Sequence, residues 1–548
     1  MSLQAAPIFD VPELTAKVAR AAFPKGNVYL QLRNELGTIY EDKLFAELYP
    51  HDGQPAASPW RLALVTVLQF AENLPDRQAA DAVRSRIDWK YLLGLELTDP
   101  GFDYSVLCEF RARLVAGDVL SLLLDQMIEV LKEKGTLKSR GRQRTDSTHI
   151  LAAVHDLSRL ELVGKTLLHT LNSLAVVNPE WLKAIVPAAW PERYNTRWED
   201  YRLPKTETER LELGEQVGRD GLFLLGAIYT ADVPTWLREI PAVETLRQVW
   251  VQNFYEDQAV LHWRHAGNIP PAAKAICSPF DTQARYSIKR QTEWTGYKVH
   301  LTETCDPEGP HLITHVITTK ATEQDTEVVA ELHQALAEKD FLPDEHLLDQ
   351  GYSDSLSLIN AHEQYNIDMV MPMRTDHSWQ QRTAKAYDLS HFRIDWAAQR
   401  VTCPEGKTSA SWVPGQDRKG NLRYEVMFDT VDCGPCPVRM LCTKSERCRR
   451  KITFRPQEQH ELLQTIRASQ QTEAFKEGYA ARAGIEGTIS QAVVALKMRQ
   501  SRYRGHLKTH LQHVATATAI NIKRMSNWWN DVPFSKTKSS RFAMLMTA

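Results

Sequence analysis

The sequence predicts a mixed α/β protein behind an all-helical N-terminal domain, and three observations predict it. Up to about residue 135, apolar residues recur at three- and four-residue spacing, the period of a helix with one buried face. From Tyr286 the period changes to two. Apolar runs then alternate with amphipathic stretches in the order strand, strand, helix, strand, helix, strand, which is a mixed sheet with flanking helices.

The 548 residues are 43% hydrophobic and 24% charged, an ordinary globular composition with room for several domains. The net charge of −2 gives no global sign of a nucleic-acid partner, so such binding would depend on local patches. The N-terminus has no charged start followed by an apolar run. No stretch approaches the ~18 consecutive apolar residues of a membrane span. The expectation is a cytoplasmic protein.

Residues 1–135 are expected to form the helical N-terminal domain, a candidate for DNA binding, with helices at 60–72 and 119–132. Leu74-Pro75-Asp76 breaks the pattern, and Asp76 is expected to cap a helix over 77–86. Asp103 is expected to cap another, carrying Phe110-Arg111-Ala112-Arg113. Residues 136–159 begin the α/β core, with Asp146 at the start of a strand running into the apolar 150–154. Residues 160–275, rich in Leu, Trp and charge, read as a helical insertion. The core continues over 276–375. Strands at 297–301 and 311–319 flank a turn containing Asp306-Pro307-Glu308-Gly309. A helix is expected over 322–339, and His346-Leu347-Leu348-Asp349 is a short buried strand ending in an acid. A helix from Asp354 and a strand at 367–371 follow. Residues 376–472 read as a β-rich insertion that holds the cysteines. Helices at 473–497 and 507–525 fill 473–527, and 528–548 is a polar tail.

Three acids stand out by context: Asp146 in a basic neighbourhood, Asp349 at a strand end before a glycine, and Glu486 in the last helical region. Cleaving a phosphodiester needs an activated nucleophile and a stabilised leaving oxygen. Two divalent ions about 4 Å apart supply both. Mg²⁺ takes hard carboxylate oxygens and keeps several waters.

The residues around these acids resemble the DDE-type insertion-sequence transposases of bacteria. The resemblance lies in Arg144-Thr145-Asp146-Ser147-Thr148, in Asp281-Thr282-Gln283-Ala284-Arg285 with Gly296-Tyr297-Lys298-Val299-His300, and in Thr322-Glu323-Gln324-Asp325. It continues in Leu348-Asp349-Gln350-Gly351-Tyr352-Ser353, in Ser501-Arg502-Tyr503-Arg504-Gly505 and in 517–524. The segment from Ser58 to Leu114 resembles the helical domain in front of one branch of these enzymes. The likeness runs in order from about residue 30 to the C-terminus, and the helical insertion carries little of it.

The family's third acid stands in a Tyr-x2-Arg-x3-Glu-x6-Lys helix. Tyr479, Arg482 and Glu486 fit that spacing, and offsets of three and seven share a helix face. The lysine position is Val493, a departure, and Lys497 is the substitute on nearly the same face. Gly484 and Gly487 weaken this helix by roughly 1 kcal/mol each relative to Ala.

The resemblance implies a ribonuclease H-like core and catalysis by Asp146, Asp349 and Glu486 around two Mg²⁺ ions, for which Mn²⁺ can substitute. It implies nicking at the transposon ends and attack of the freed 3′-hydroxyl on target DNA. The implied partners are terminal inverted repeats, target DNA and further copies of the chain, placing it at the nucleoid. DNA contacts are expected from Tyr479, Arg482, Lys497, Arg502 and Arg504. An inactive DNA-binding relic and a plain nuclease of the same fold are the alternatives.

Five of the eight cysteines fall between Cys403 and Cys448. Cys433-Gly434-Pro435-Cys436 has the spacing that lets two thiolates reach one tetrahedral zinc. With Cys403 and Cys442 they form a candidate structural zinc site, with Cys448 as a spare and a metal-free hairpin as the alternative. A similar cysteine pattern occurs in this branch of the family. Basic runs at 138–144, 439–455 and 497–524 are candidate phosphate contacts.

Overall fold

The computed structural model describes residues 2, 3, 10–194, 198–373, 378–383, 385–417, 420–447, 449–533 and 545. It is a mixed α/β protein, about half of it helical. Two compact units are present. The first comprises residues 1–138, 145–323 and 484–548, and the second 139–144 and 324–483.

The first unit opens with the predicted helices. Helix Pro59–Ala71 begins with a proline, whose missing N–H is not needed at that position. From Trp60 to Phe70 only Arg61 escapes burial. A helix apolar on all sides must be enclosed. Asp103 caps as expected, accepting from Ser105 N at 2.9 Å. Asp76 does not. It is the first residue of helix Asp76–Ser85, behind Pro75. Its carboxylate instead pairs with Arg111 Nη2 at 2.6 Å and accepts from Gln69 Nε2 at 2.6 Å. Arg111 is 6% exposed, and a buried guanidinium needs that anion more than the helix start does.

Strand β1 (Arg142–Leu151) starts earlier than expected, so Asp146 lies mid-strand. Polar residues extend it because their groups are satisfied. Thr145, fully buried, shares a 2.7 Å hydrogen bond with Thr302. In the insertion, Ser158 and Glu161 form a capping box at helix Arg159–Val177. This helix, with Glu207–Ile228 and Pro241–Asn253, encloses Trp190, Trp198, Trp250 and Phe254. The hairpin β2 (Phe254–Asp257) and β3 (Val260–Trp263) was not anticipated there. Its turn places Gln258 and Ala259 at φ 47° and 62°, without the Gly or Asn that usually signals such a turn.

The predicted alternating strands are β4 (Arg285–Lys289), β5 (Thr292–Thr304) and β6 (Ile313–Lys320). β5 pairs antiparallel with β4 and β6, and β1 also neighbours it. The long helix His506–Trp529 packs on β6 and on Pro59–Ala71. Its buried Asn521 accepts from Ile313 N and donates to Ile313 O, both at 2.8 Å.

In the second unit β7 (Glu345–Leu348) pairs in parallel with β8 (Asp368–Val370). The predicted 322–339 helix is shorter, a 3₁₀ turn Asp325–Glu327 followed by Val329–Glu338. The helix expected from Asp354 is Ser355–Tyr365, with Asp354 as its cap. Leu348, Tyr352, Leu358 and Met371 form a small core, against which Leu462 and Ile466 pack. The cysteine-rich stretch forms two small sheets, β9 (Arg393–Asp395) with β10 (Arg400–Thr402), and β11 (Ser411–Gln416), β12 (Leu422–Met427) and β13 (Lys451–Phe454). The expected 473–497 helix is four segments: α-helical Glu473–Ala480, 3₁₀ Ala481–Ala483, α-helical Gly484–Ser490 and π-helical Gln491–Ala495. Gly478, Gly484 and Gly487 remove the propensity that would favour one continuous α-helix. Most of the expected tail lies outside the described residues. Among the described residues no helix is long and apolar enough to cross a membrane.

Gly296 stands at φ +155°, where a β-carbon would run into the Ile150 carbonyl and come within 2.7 Å of Ala152 N. Gly296→Ala should therefore force β5 from the end of β1 and destabilise the fold by about 1–3 kcal/mol, the range of overpacking. A urea midpoint equal to wild type would contradict this close approach.

Candidate functional site

In the second unit, Asp349 follows β7 and caps the 3₁₀ turn Gln350–Tyr352, its Oδ1 accepting from Gly351 N at 2.7 Å. Gly351 is where a side chain would not fit. A β-carbon there would stand 2.8 Å from Asp349 Oδ1 and 3.1 Å from Asp325 Oδ2. Asp325 is thus a second acid beside Asp349. The resemblance included it only as the start of a helix, and no spacing rule marked it as an acid of the site.

Two residues of the Tyr-x2-Arg-x3-Glu pattern meet this strand end. Tyr479 donates its hydroxyl to Leu348 O at 3.0 Å, and its ring stacks on Phe475 at 5.6 Å. Arg482 Nη2 lies 4.0 Å from Asp349 Oδ2. Arg482 stands on the 3₁₀ turn rather than on a continuous helix. Beneath Asp349, the buried His346 places Nδ1 2.9 Å from Nε2 of His333.

The first unit carries Asp146 and Glu486. Asp146 is half-buried in β1, accepting from Ser147 N at 2.8 Å. Glu486 is exposed on Gly484–Ser490, whose Ile485 and Thr488 are buried. Thr488 anchors that helix by donating to Glu303 Oε2 at 2.6 Å. Arg524 closes the triangle, giving Nη1 to Glu303 Oε2 and Nη2 to Thr488 Oγ1, each at 2.6 Å. Glu303 is wholly buried, and a register shift between Thr302 and Glu303 marks a bulge there. No motif pointed to Glu303. The acids therefore divide between the units, Asp349 in one and Asp146 with Glu486 in the other. Among the described residues no three His, Cys, Asp or Glu side chains stand in metal-binding geometry.

Several expected DNA contacts are engaged within the protein. Arg142 pairs with Glu345 and gives Nη2 to Gly478 O at 3.0 Å, and Arg144 donates to Ala481 O. Arg502 donates to Leu74 O at 2.9 Å and to Asn73, its guanidinium 4.7 Å above the Phe70 ring. Burial pulls its pKa down. Its geometry is that of a brace. Lys497 is exposed at φ 54°, and Arg504 is exposed over Phe280 at 5.0 Å.

In the second unit Cys403, Cys433, Cys436 and Cys442 line one cavity of about 30 Å³. Lys407 N donates to Cys403 Sγ at 3.3 Å, and the Arg450 backbone N–H reaches the Cys433 sulfur. Burial pushes the Cys442 thiol up to about 11 and Cys433 upward, with neighbouring sulfurs adding to both shifts. Cys448 lies outside the described residues.

Two family matches bear on this geometry. Residues 402–526 match a family described as Transposase DDE domain, and residues 18–113 match Transposase domain (DUF772). The first spans the cysteines and Glu486 but stops short of Asp146 and Asp349. No curated protein and no solved structure matches the chain.

The histidine pair makes stability depend on pH. Burial lowers His333 to about 4 and His346 well below its ordinary value. The unfolded chain regains protons below about pH 6.5 that the folded chain refuses. Stability should be full above pH 6.5 and fall as pH drops towards 4, by up to about 1.4 kcal/mol per pH unit for each histidine. Chemical denaturation at pH 7.5 and 5.0 checks this; equal stabilities would contradict it.

Proposed function

We propose that this chain, which belongs to the DDE-type insertion-sequence transposases, cuts DNA at transposon ends and joins it to target DNA, with Asp146, Asp349 and Glu486 supplying the catalytic carboxylates. The observation that carries the reading is the meeting at Asp349. Tyr479, 131 residues beyond Leu348, anchors to that strand end, and Arg482 faces the Asp349 carboxylate. Both come from the motif whose third member is Glu486. A ribonuclease H-like core is part of this reading, supported by the antiparallel pairing of β5 with β6 and the parallel pairing of β7 with β8.

Carboxylate oxygens are the donor chemistry that Mg²⁺ or Mn²⁺ takes. With no β-carbon, Gly351 keeps its backbone from crowding the oxygens of Asp349 and Asp325, which a side chain there would meet at 2.8 and 3.1 Å. When bound, divalent ions supply Lewis acidity at the scissile phosphodiester. The protein's own groups position the reactants. Arg482 offers a planar fork to a phosphate oxygen near Asp349. Tyr479, tied to Leu348 O, holds helix Glu473–Ala480 against β7. Lys497 and Arg504 offer exposed positive charge to the DNA backbone, with Arg502 bracing the segment between them. In the first step water attacks phosphorus and the 3′-oxygen leaves as a hydroxyl. In the second that hydroxyl attacks a target phosphodiester, forming a new oxygen–phosphorus bond while the target strand's own 3′-oxygen leaves as a hydroxyl. The chain acts as a multimer holding paired ends.

Asp146→Ala, Asp349→Ala and Glu486→Ala should each bind the element's ends like wild type but lose cleavage by at least 10³-fold, a loss of about 4 kcal/mol in transition-state stabilisation. Variants that still cut would refute the assignment. Wild type that binds ends but never cuts would identify a relic, and wild type that hydrolyses without joining would identify a plain nuclease.

For the cysteine cavity, a structural Zn²⁺ held by Cys403, Cys433, Cys436 and Cys442 is the reading favoured by backbone N–H groups aimed at two of the sulfurs. Elemental analysis of purified protein should give one zinc per chain, lost in Cys433→Ser/Cys436→Ser. A metal-free, folded wild type would end that reading.

A further inference from the structure

Alternate residues of a strand point the same way, so Asp146 and Thr148 share a face of β1. The Thr148 hydroxyl accepts from Nη2 of Arg499 at 3.1 Å. Arg499 is thereby held one strand repeat from Asp146, and both lie in the first unit. Its segment is tied to the end of β1. Arg499 O accepts from Leu151 N at 2.8 Å, and Ser501 N donates to Leu151 O at 2.9 Å. On its other side Met498 is wholly buried and its N–H donates to Ala492 O at 3.0 Å.

Arg499, like Arg502, has no carboxylate partner among the described residues, and its guanidinium is also short of acceptors. Arg524 has Glu303, Arg111 has Asp76 and Arg142 has Glu345. Among the described residues Arg499 has only the neutral Thr148 hydroxyl, and its Nε is buried with no acceptor. A half-buried guanidinium with an idle donor loses hydration without recovering it from an anion. Nearby His149 does not compete for that role. Burial and the charge of Arg499 lower its pKa, and its ring lies 5.4 Å from that of Trp294.

We propose that Arg499 binds a backbone phosphate of the DNA strand on which Asp146 acts. A phosphodiester oxygen supplies the missing anion and fits the guanidinium fork. This rests on the proposed transposase reading and adds to it a residue outside the Tyr-x2-Arg-x3-Glu pattern. In the basic run at 497–524, Arg499 is then a fixed, DNA-facing cation while Arg502 is a brace.

The test uses the full chain and a labelled duplex carrying an element end, with Ca²⁺ in place of Mg²⁺ to prevent cutting. Affinity is measured from 50 to 300 mM KCl. Arg499→Gln should bind several-fold more weakly at 100 mM and reduce the slope of log affinity against log salt by about one, the signature of one lost phosphate contact. Arg499→Lys should keep the slope. Unchanged affinity and slope in a folded Arg499→Gln overturns the proposal. A second measurement needs no variant. DNA should protect Arg499 of wild type from an arginine-selective dicarbonyl reagent, read by peptide mass spectrometry, and full reactivity in the complex overturns the proposal equally. Wild type that shows the Arg499 effects but never cuts in Mg²⁺ would refute the transposase reading while leaving the phosphate contact standing.

Discussion

The first unit depends on a buried ion pair. Glu303 has no solvent exposure, and its carboxylate is matched by Arg524 and by the Thr488 hydroxyl. Three elements distant in the chain contribute: β5, the Gly484–Ser490 helix and the long C-terminal helix. Removing either charge leaves the other buried without compensation, typically 3–5 kcal/mol. The geometry matters most for the shortest partner. A seven-residue helix with two glycines has little stability of its own. Thr488 and Ile485 fix it from below, so exposed Glu486 stands on a helix that is held in place.

The second unit solves the analogous problem with main-chain acceptors. Arg142 and Arg144 donate to the carbonyls of Gly478 and Ala481, near the helix end where Tyr479 and Arg482 stand. Carbonyls in the last turn of a helix lack intrahelical donors, and cations suit them. The basic run that read as a phosphate surface is thus partly structural. It holds in place the residues that meet Asp349.

Much of this was legible because it rests on period and capping. The alternation of β5 and β6, the apolar run ending at Asp349, the helix start at Asp354 and the Asp103 cap are local signals that the fold keeps. What was illegible depended on long-range partners. Asp76 has the sequence of a cap, but its carboxylate belongs to Arg111, 35 residues away. The strand through Asp146 is polar and looked shorter than it is, because Thr145 finds its partner at Thr302. The Gln258-Ala259 turn lacks the usual turn residues. The break at Ala481–Ala483 sits inside a motif that implied one helix. For the site, strand context named Asp349 and the resemblance to the family's motif named Tyr479 and Arg482, while Asp325, Glu303 and Arg499 carried no spacing signal.

The distribution of charge bears on how such a protein could hold DNA. With a net charge of −2, no overall field draws the polyanion in. Many arginines are neutralised by carboxylates or engaged by carbonyls, including Arg111, Arg142, Arg502 and Arg524. Where the contacts are a small set of cations with no carboxylate partner among the described residues, such as Lys497, Arg499 and Arg504 in one short segment of the first unit, binding would rest on few phosphates. A small set of phosphate contacts gives modest affinity for DNA in general and a shallow dependence on salt. Under that constraint tight engagement would require shape and base contacts at the correct ends, and bulk DNA would hold the protein only weakly.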